Sequence, residues 1–343
     1  MEVKLIGIDL AKSVFQLCGI NQAGKVVFNR QVRRDRLCDV LRTYPSTPIA
    51  MEACFSAHHW GRTFQAMGHP VRLIPPQHVK PFVRVNKSDA CDALAICEAA
   101  QRPGLHGVAV KSVEQQDLQA LHRLRQRYIS QRTQAANQLR GLAAEYGVIF
   151  PKQLQQLRSQ LPEALEDGDN GLSPVARETL ALLGEELQGL DQKIQRTQTR
   201  LVELARHCES WKRLQSIPGY GPIVAAAVVA AAGSGQQFRN GREFAAWLGL
   251  VPRQSGTGGK VRLLGITKNG DRYLRALMIH GARAAVRWAP RRNDALGHWV
   301  QNLQHRRGHN KAVVALANKC ARIAWAVLAG REEFDMTKAF ARA

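Results

Sequence analysis

Four acidic residues in the first hundred positions have a type and spacing that could bind metal ions. Asp9 and Glu52 each end a short apolar segment, and Asp89 and Asp92 open an apolar stretch with helical periodicity. Because side chains three positions apart share one face of a helix, these two aspartates would repel each other unless a cation lay between them. Carboxylate oxygens suit Mg²⁺, and two such ions roughly 3.5–4 Å apart can stabilise the attacking and leaving oxygens of a phosphoryl transfer. We therefore predict a site for two Mg²⁺ ions formed by all four acids.

Each acid also has a simpler structural interpretation. Asp9 could close a turn before Lys12, Glu52 could be a surface acid, and Asp89 and Asp92 could oppose the dipole at the start of a helix. The occurrence of all four where one mixed sheet would bring them together favours the metal site. The flanking Lys12 and Lys87 could form structural salt bridges or contact a phosphate.

The elements that must position these acids are predicted from hydrophobic patterning. Three strands followed by alternating helices and strands indicate a mixed sheet with helices on its faces. The predicted strands are Val3–Asp9, Val14–Ile20, Lys25–Val32, Pro48–Ala53 and Val71–Pro75, and the predicted helices are Arg34–Thr43, His58–Met67 and one that opens at Asp89.

The middle of the chain is predicted to be helical. Two long stretches, Val113–Gly147 and Pro174–Cys208, are separated by the polar segment Asp167–Gly171. They indicate an antiparallel helical hairpin or coiled-coil arm, which could be a spacer or a dimerisation element. We therefore expect three domains, at 1–110, 111–210 and 211–343, and an α/β plus α fold class.

The charge distribution indicates a polyanionic partner. The formal net charge is +22, of which residues 1–110 carry +6, residues 111–210 carry none and residues 211–343 carry +16. Nucleic acid is the first candidate for this partner, with a membrane surface or polyphosphate second. The last third is expected to form the main phosphate-binding surface.

Cysteine usage and apolar run lengths predict a soluble cytoplasmic protein. The seven cysteines include no C-x-x-C pair, which favours free thiols in a reducing compartment. The chain begins without the form of a signal peptide, and its longest apolar run, from Ile223, is too short to span a bilayer.

Leu214–Gly233 has the layout of a helix-hairpin-helix, with a tight "PGYG" turn before a helix of small residues. In such a motif backbone N–H groups at a helix N-terminus bind a phosphate without reading sequence. Gly219 and Gly221 are therefore predicted to contact nucleic acid. The alternative is an ordinary helical core contact.

Ser255–Lys260 ("SGTGGK") is predicted to be a flexible loop that offers the hydroxyls of Ser255 and Thr257. Residues 239–292 hold twelve basic and two acidic residues, which would stabilise charge on a reacting phosphate. Arg272, Arg275, Arg283 and Arg287 are predicted to form a basic stripe on a helix. The residues predicted to contact nucleic acid are Lys87, Gly219, Gly221, Arg253, Lys260, Arg262, Lys268, Arg272, Arg275 and Arg283.

Two simpler interpretations apply to this region. The basic stripe could be a solvated helix face, and the hydroxyls could belong to an unreactive glycine-rich loop tip. Tryptophans 211, 247, 288, 299 and 325 are expected to lie in the core rather than to stack on bases.

Five motifs together resemble one known family. "GIDLAKS", "MEACFSAHHWGR", "NKSDACDALAICEA", "IPGYG" and "WLGLVPRQSGTGGKVRLLGITKNGDRYLRALMIHGARA" occur in the order found in the DEDD transposases of bacterial insertion sequences. These are the bridge-RNA-guided recombinases related to the Piv DNA invertase. The resemblance extends over nearly the whole chain.

The resemblance implies a RuvC-like, ribonuclease-H-fold domain whose metal-binding D-E-D-D set is Asp9, Glu52, Asp89 and Asp92. It also implies a coiled-coil dimerisation segment and a C-terminal transposase domain with a serine that attacks DNA to form a covalent phosphoserine. In the family the serine of one protomer completes the acidic site of another, so a dimer and an active tetramer are expected. A noncoding bridge RNA pairs with donor and target double-stranded DNA.

One departure from the family concerns the nucleophile. A gap-free match to relatives with a "YESGS" stretch puts Thr257 at the serine position, whereas hydroxyl chemistry favours Ser255 because threonine is a less usual nucleophile. The residues alone are also compatible with two other functions. One is a Holliday-junction resolvase that uses metal-activated water, and the other is a non-catalytic nucleic-acid-binding protein.

Overall fold

A computed structural model describes residues 2–83, 88–105, 107–258, 260–330 and 333–340. The chain divides into two compact units, the first ending at Val113 and the second beginning at Glu114. The predicted middle segment and C-terminal region belong to the same unit, so the three-part division stays a prediction. No described helix combines the length and apolar character needed to cross a membrane. All seven cysteines are unpaired, as expected.

The first unit contains the predicted mixed sheet, with strand order β3-β2-β1-β4-β5. β1, β2 and β3 form an antiparallel meander, and β4 and β5 run parallel to β1. The strands are β1 (Leu5–Asp9), β2 (Val14–Ile20), β3 (Val26–Arg33), β4 (Ile49–Glu52) and β5 (Val71–Ile74). Each predicted strand is therefore present, within two residues at either end.

Helices cover both faces of this sheet. They are α1 (Leu37–Arg42), α2 (Ala57–Ala66), α3 (Pro76–Val79) and α4 (Asp89–Gln101). On one face Trp60 and Phe64 of α2 pack with Ile8 and Phe15. On the other face α4 lies directly on β1, because Gly7 has no side chain. A Cβ atom there would lie 2.5 Å from the sulfur of Cys97.

The second unit begins with an antiparallel pair of long helices. They are α5 (Val113–Ala144) and α7 (Pro174–Ala205), and the shorter α6 (Leu154–Glu166) shares an apolar cluster with both. Arg132 of α5 donates to Asp191 of α7 at 3.0 Å, which fixes the pairing of the two helices. The sequence analysis missed α6 because its proline and its polar residues obscure the helical pattern.

The C-terminal region is mainly helical, as expected. The Ala-rich α9 is buried on nearly all sides, so its neighbours approach closely. The elements are α8 (Glu209–Leu214), α9 (Pro222–Ala232), α10 (Gly241–Trp247), β6 (Pro252–Thr257), β7 (Lys260–Ile266), α11 (Arg272–Trp288), α12 (Ala295–Arg307), α13 (His309–Leu328) and α14 (Met336–Phe340).

Four of the five tryptophans expected in the core lie there. Trp211 and Trp325 are buried, and Trp247 and Trp299 are half-buried against the same cluster. Trp288 contradicts the expectation because 55% of its surface is exposed. It is the last residue of α11 and lies on the outward face of the helix, since Val286 and Ala289 beside it are buried.

Candidate catalytic site and nucleic-acid interface

Asp9 and Glu52 end two neighbouring parallel strands. In the register of β1 and β4, Gly7 lies opposite Ala50, and two positions further on each strand ends in its acid. Since side chains alternate between the faces of a strand, Asp9 shares the face of Gly7 and Glu52 shares that of Ala50. Gly7 and Ala50 both pack against α4. The two carboxylates therefore lie side by side on the face that α4 covers.

Helix α4 brings the other two acids to this face. The Ser88 hydroxyl caps the helix by accepting from the backbone N–H of Cys91 at 3.3 Å, so the helix begins at Asp89. Asp92 precedes Ile96 by four positions, and Ile96 packs in one cluster with Ala50 of β4. Residues four apart share a helical face, so Asp92 points towards the Glu52 side of the sheet.

A hydrogen-bond chain shows which end of the sheet the first turn of α4 covers. Gln16 of β2 lies opposite Asp9, and its side-chain amide donates to Asn29 Oδ1 at 2.6 Å. The Asn29 amide in turn donates to the carbonyl of Ala90 at 2.9 Å. Because Ala90 directly follows Asp89, the first turn of α4 lies at the Asp9 end of the sheet. The start of α4, with Asp89, therefore lies at the same end of the sheet as Asp9 and Glu52.

The charges of both strand-end carboxylates act on the Cys54 thiol. Its pKa is raised to about 11, first by burial and then by the negative charges of Glu52 and Asp9. A thiolate there would lie close to both carboxylates, which disfavours ionisation. The sequence analysis did not single out Cys54. Its position two residues after the acid that ends β4 is the only signal the sequence gives.

The donor set fits a magnesium site in chemistry. Carboxylate oxygens are the hard ligands that Mg²⁺ prefers. Among the described residues, no three His, Cys, Asp or Glu side chains are grouped closely enough to hold one metal ion together. Lys87, predicted to flank the acids, lies outside the described residues.

The predicted hydroxyl loop is a β-hairpin, so the loop expectation was wrong. β6 and β7 pair antiparallel, with Ser255 opposite Arg262 and Thr257 opposite Lys260. Directly opposite residues of an antiparallel pair point to the same face. Both hydroxyls thus share a face with two cations, and all four side chains are exposed. The turn signal at the two glycines was present, but the flanking polar residues concealed the strands.

Most of the other predicted basic residues are also accessible. Arg253 on β6, Lys268 before α11, Arg272 at the start of α11 and Arg283 within it are all exposed. Arg275 differs, because it is 8% exposed. Its guanidinium donates to the carbonyl of Asn269 at 2.9 Å and approaches two further backbone carbonyls. The Arg275 side chain stabilises the loop before α11. The prediction that it lies on the binding face was therefore wrong.

The two glycines of the predicted phosphate-binding turn have different environments. Gly219 has a φ of +81°, and a Cβ atom there would lie 2.5 Å from the backbone of Gly281, so close packing against α11 requires this glycine. Gly221 is exposed with open space around it, and it precedes α9 without a side-chain cap. α9 begins with Pro222, which has no N–H, so only the N–H groups of the next two residues lack an intrahelical acceptor and could bind an anion.

Comparison with known proteins identifies the family. Residues 6–148 match a family profile described as a transposase, and residues 211–296 match that of the transposase IS116/IS110/IS902 family. A probable family 20 transposase from Pseudomonas aeruginosa is 48% identical over 329 residues, covering 96% of this chain and 97% of the relative. The chain belongs to the IS116/IS110/IS902 transposase family.

Other similar members come from named insertion sequences. The transposase for insertion sequence element IS1111A of Coxiella burnetii is 44% identical over 333 residues, covering 97% of this chain and 92% of the relative. The transposase for insertion sequence element IS1328 of Yersinia enterocolitica is 37% identical over 327 residues, covering 95% and 96%. The chain is therefore an insertion-sequence transposase, which acts on DNA.

The transposase also contains a buried histidine that sequence reasoning missed. His122 of α5 is 3% exposed, and its Nδ1 lies 3.0 Å from the Tyr273 hydroxyl of α11. Burial, and to a lesser extent the charge of Arg125, lower the pKa of His122 to about 4, against a smaller opposing effect of Asp271. The imidazole is therefore neutral at neutral pH.

We expect His122 to make the transposase less stable in mild acid. Below pH 6.5 His122 binds a proton in the unfolded state, but in the folded state it does so only below about pH 4. The free energy of unfolding therefore falls as the pH is lowered from 6.5 to 4. The loss at pH 5 is about 1–2 kcal/mol. Thermal unfolding at pH 7.5 and pH 5.0 tests this. The difference in Tm between the two pH values should be smaller in His122→Gln than in wild type, and it should be unchanged in the exposed control His309→Gln. Equal differences in all three proteins would refute the assignment.

Proposed function

We propose that this transposase cuts and rejoins DNA through a protein hydroxyl that works with a Mg²⁺-binding site formed by Asp9, Glu52, Asp89 and Asp92. The observation that supports the proposal is that Asp9 and Glu52 end neighbouring parallel strands on the face that α4 covers, and that α4 begins at this end of the sheet. The meander followed by parallel strands supports a RuvC-like fold for this unit. The paired hydroxyls and cations of the β6–β7 hairpin supply the second half of the chemistry.

The reaction follows from the residues. The Ser255 or Thr257 oxygen forms a bond to phosphorus, and the bond from phosphorus to one sugar oxygen breaks. A carboxylate accepts the proton of the attacking hydroxyl, and the leaving sugar oxygen takes up a proton. Lys260 and Arg262, opposite the hydroxyls, stabilise the negative charge on the phosphate. Mg²⁺ held by the acids would neutralise further charge on the reacting oxygens.

Rejoining reverses these steps. The hydroxyl of another DNA strand attacks the protein-bound phosphate, which restores the phosphodiester and releases the protein oxygen. The covalent link conserves the energy of the broken bond, so no external energy source is needed.

Guidance by a bridge RNA is part of the proposal. It is supported by the motif resemblance and by the +16 charge of residues 211–343, which could neutralise RNA as well as DNA phosphates. We propose functional regions at 1–110, 111–210 and 211–343, with the helical pair α5 and α7 as a dimerisation arm. Exposed Val175 and Leu182 on α7 support that use of the arm. The active assembly would be a dimer or tetramer in which one copy's hairpin acts with another copy's acids.

A protein–DNA adduct tests the proposal. The purified transposase is mixed with Mg²⁺, the noncoding RNA of its element and labelled DNA carrying the element ends, and is then denatured. A labelled species that survives denaturation and disappears on protease treatment is expected, whereas DNA without the element ends should give none. Cut DNA without an adduct would instead indicate hydrolysis by metal-activated water, as in a resolvase.

A further inference from the structure

Trp288 is an exposed aromatic residue that the proposed chemistry does not use. It ends α11 with 55% of its surface accessible, whereas the other tryptophans of the C-terminal region pack into or against the core. A tryptophan can bury 150–250 Å², so leaving most of it in water forgoes a large stabilisation. An exposed tryptophan is therefore a candidate for contact with a ligand.

The charges around Trp288 define the class of ligand. The Arg291 guanidinium lies 4.7 Å from the centre of the ring, and the adjacent Arg287 is also exposed. The nearest acid in sequence, Asp294, is bound by Arg292 and also caps α12. An aromatic face within a positive surface suits a ligand that is both planar and anionic, which describes a nucleotide.

The position of α11 connects Trp288 with the turn that precedes α9. Gly281 of α11 meets Gly219 backbone to backbone, and Gly221 follows within the same turn. Seven residues separate Gly281 from Trp288, which is about 10 Å along a helix. A nucleic-acid strand covers that distance in about three stacked nucleotides at ~3.4 Å each. Phosphates at the start of α9 and a base at Trp288 are therefore compatible with one continuous strand.

We propose that Trp288 stacks against an unpaired base of a nucleic-acid strand whose phosphates contact Arg291 and the N-terminus of α9. The strand is single at this point, because the faces of paired bases are covered by their neighbours in a duplex. An opened DNA strand and the noncoding RNA share this chemistry. The inference rests on the proposed assignment of this surface to nucleic acid.

Binding of short oligonucleotides tests the stacking contact. Fluorescence anisotropy is measured with labelled 15-nucleotide single strands of DNA and of RNA, and with the matching duplex. Trp288→Ala should weaken binding of at least one single strand by about 5- to 100-fold, the range expected for loss of one stacked base. Trp288→Phe should retain most of the affinity, and the duplex should be affected less than twofold, or about 0.4 kcal/mol. The exposed control Val26→Ala, in the first unit, should change nothing.

Single strands with one abasic position separate stacking from charge. An abasic site at the position that meets Trp288 should weaken wild-type binding as much as Trp288→Ala does, with no further loss when the two changes are combined. Equal weakening of single strand and duplex by Trp288→Ala, or no weakening of either strand, would overturn the proposal. A change in oligomeric mass with unchanged oligonucleotide affinity would assign Trp288 to a protein interface instead.

The outcomes separate this inference from the proposed function. If wild type forms the covalent adduct but Trp288→Ala binds single strands normally, only the stacking inference fails. If wild type binds neither strand nor duplex, the nucleic-acid assignment of this surface fails as a whole.

Discussion

Asp9→Asn is expected to lower recombination by about 10³-fold or more while oligonucleotide affinity stays within about twofold of wild type. The substitution keeps size and shape but removes one anionic ligand from the proposed four-acid site, and a metal site supplies several kcal/mol of transition-state stabilisation. Asp89→Asn should behave alike, because Asp89 belongs to the proposed set of metal ligands. The measurement is junction sequencing in cells with a plasmid that carries the element's ends and flanking noncoding DNA.

A matched control separates loss of the site from loss of charge. Asp35 is an exposed acid of the same unit that pairs with Arg33, so Asp35→Asn removes the same charge away from the acids. It should recombine like wild type. Normal recombination by Asp9→Asn would rule out the carboxylate mechanism and favour a non-catalytic nucleic-acid-binding role. Loss of both recombination and affinity would mean that the substitution damages the fold.

The alkylation rate of the Cys54 thiol tests the same site without an activity assay. Its pKa of about 11 is raised in part by the charges of Glu52 and Asp9. Asp9→Asn removes one of these charges and should lower the thiol pKa, so Cys54 should be alkylated faster at a fixed alkaline pH. Mg²⁺ bound by wild type would have the same sign of effect, because a cation favours the thiolate. Mass spectrometry of the Cys54 peptide, with and without Mg²⁺, measures both.

The sheet and its acids could be predicted because local pattern and chemistry agree there. Apolar runs bounded by turn residues fix β1 to β5 within two residues at either end, and parallel strands bring their carboxyl ends to one edge. Asp9 and Glu52 therefore meet without any knowledge of long-range contacts. The covering of that edge by α4 follows from Gly7, whose missing side chain admits the helix.

The C-terminal region was less predictable because its decisive features are tertiary. Arg275 belongs to the expected basic stripe by spacing, yet the loop before α11 leaves carbonyls that only a buried guanidinium satisfies. Gly219 is a phosphate-binding glycine by motif, yet its contact is the backbone of Gly281, 62 positions later. Exposure of Trp288 depends on which face of α11 packs into the core. No periodicity in the sequence encodes any of these contacts.

Ser255→Ala is expected to abolish the protein–DNA adduct and to lower recombination by about 10³-fold or more, the scale of losing a nucleophile. Thr257→Ala should stay within about threefold of wild type. Both hydroxyls are exposed on the same hairpin face opposite a cation, so position alone does not separate them. The difference is steric, because the Thr257 oxygen is on a branched carbon with restricted rotation, whereas Ser255 presents a primary hydroxyl. Adduct formation on denaturing gels and junction sequencing measure both steps.

Because each hydroxyl lies opposite a cation on the hairpin, the opposite outcome would be equally informative. Loss in Thr257→Ala with activity in Ser255→Ala would name Thr257 as the nucleophile, in agreement with the gap-free motif match, and Thr257→Ser should then restore the adduct. Ser234→Ala, which removes an exposed hydroxyl elsewhere in the unit, should leave both assays unchanged. Full activity in both single variants and in the Ser255→Ala, Thr257→Ala double variant would eliminate hydroxyl attack. Cleavage would then require water activated at the proposed four-acid site.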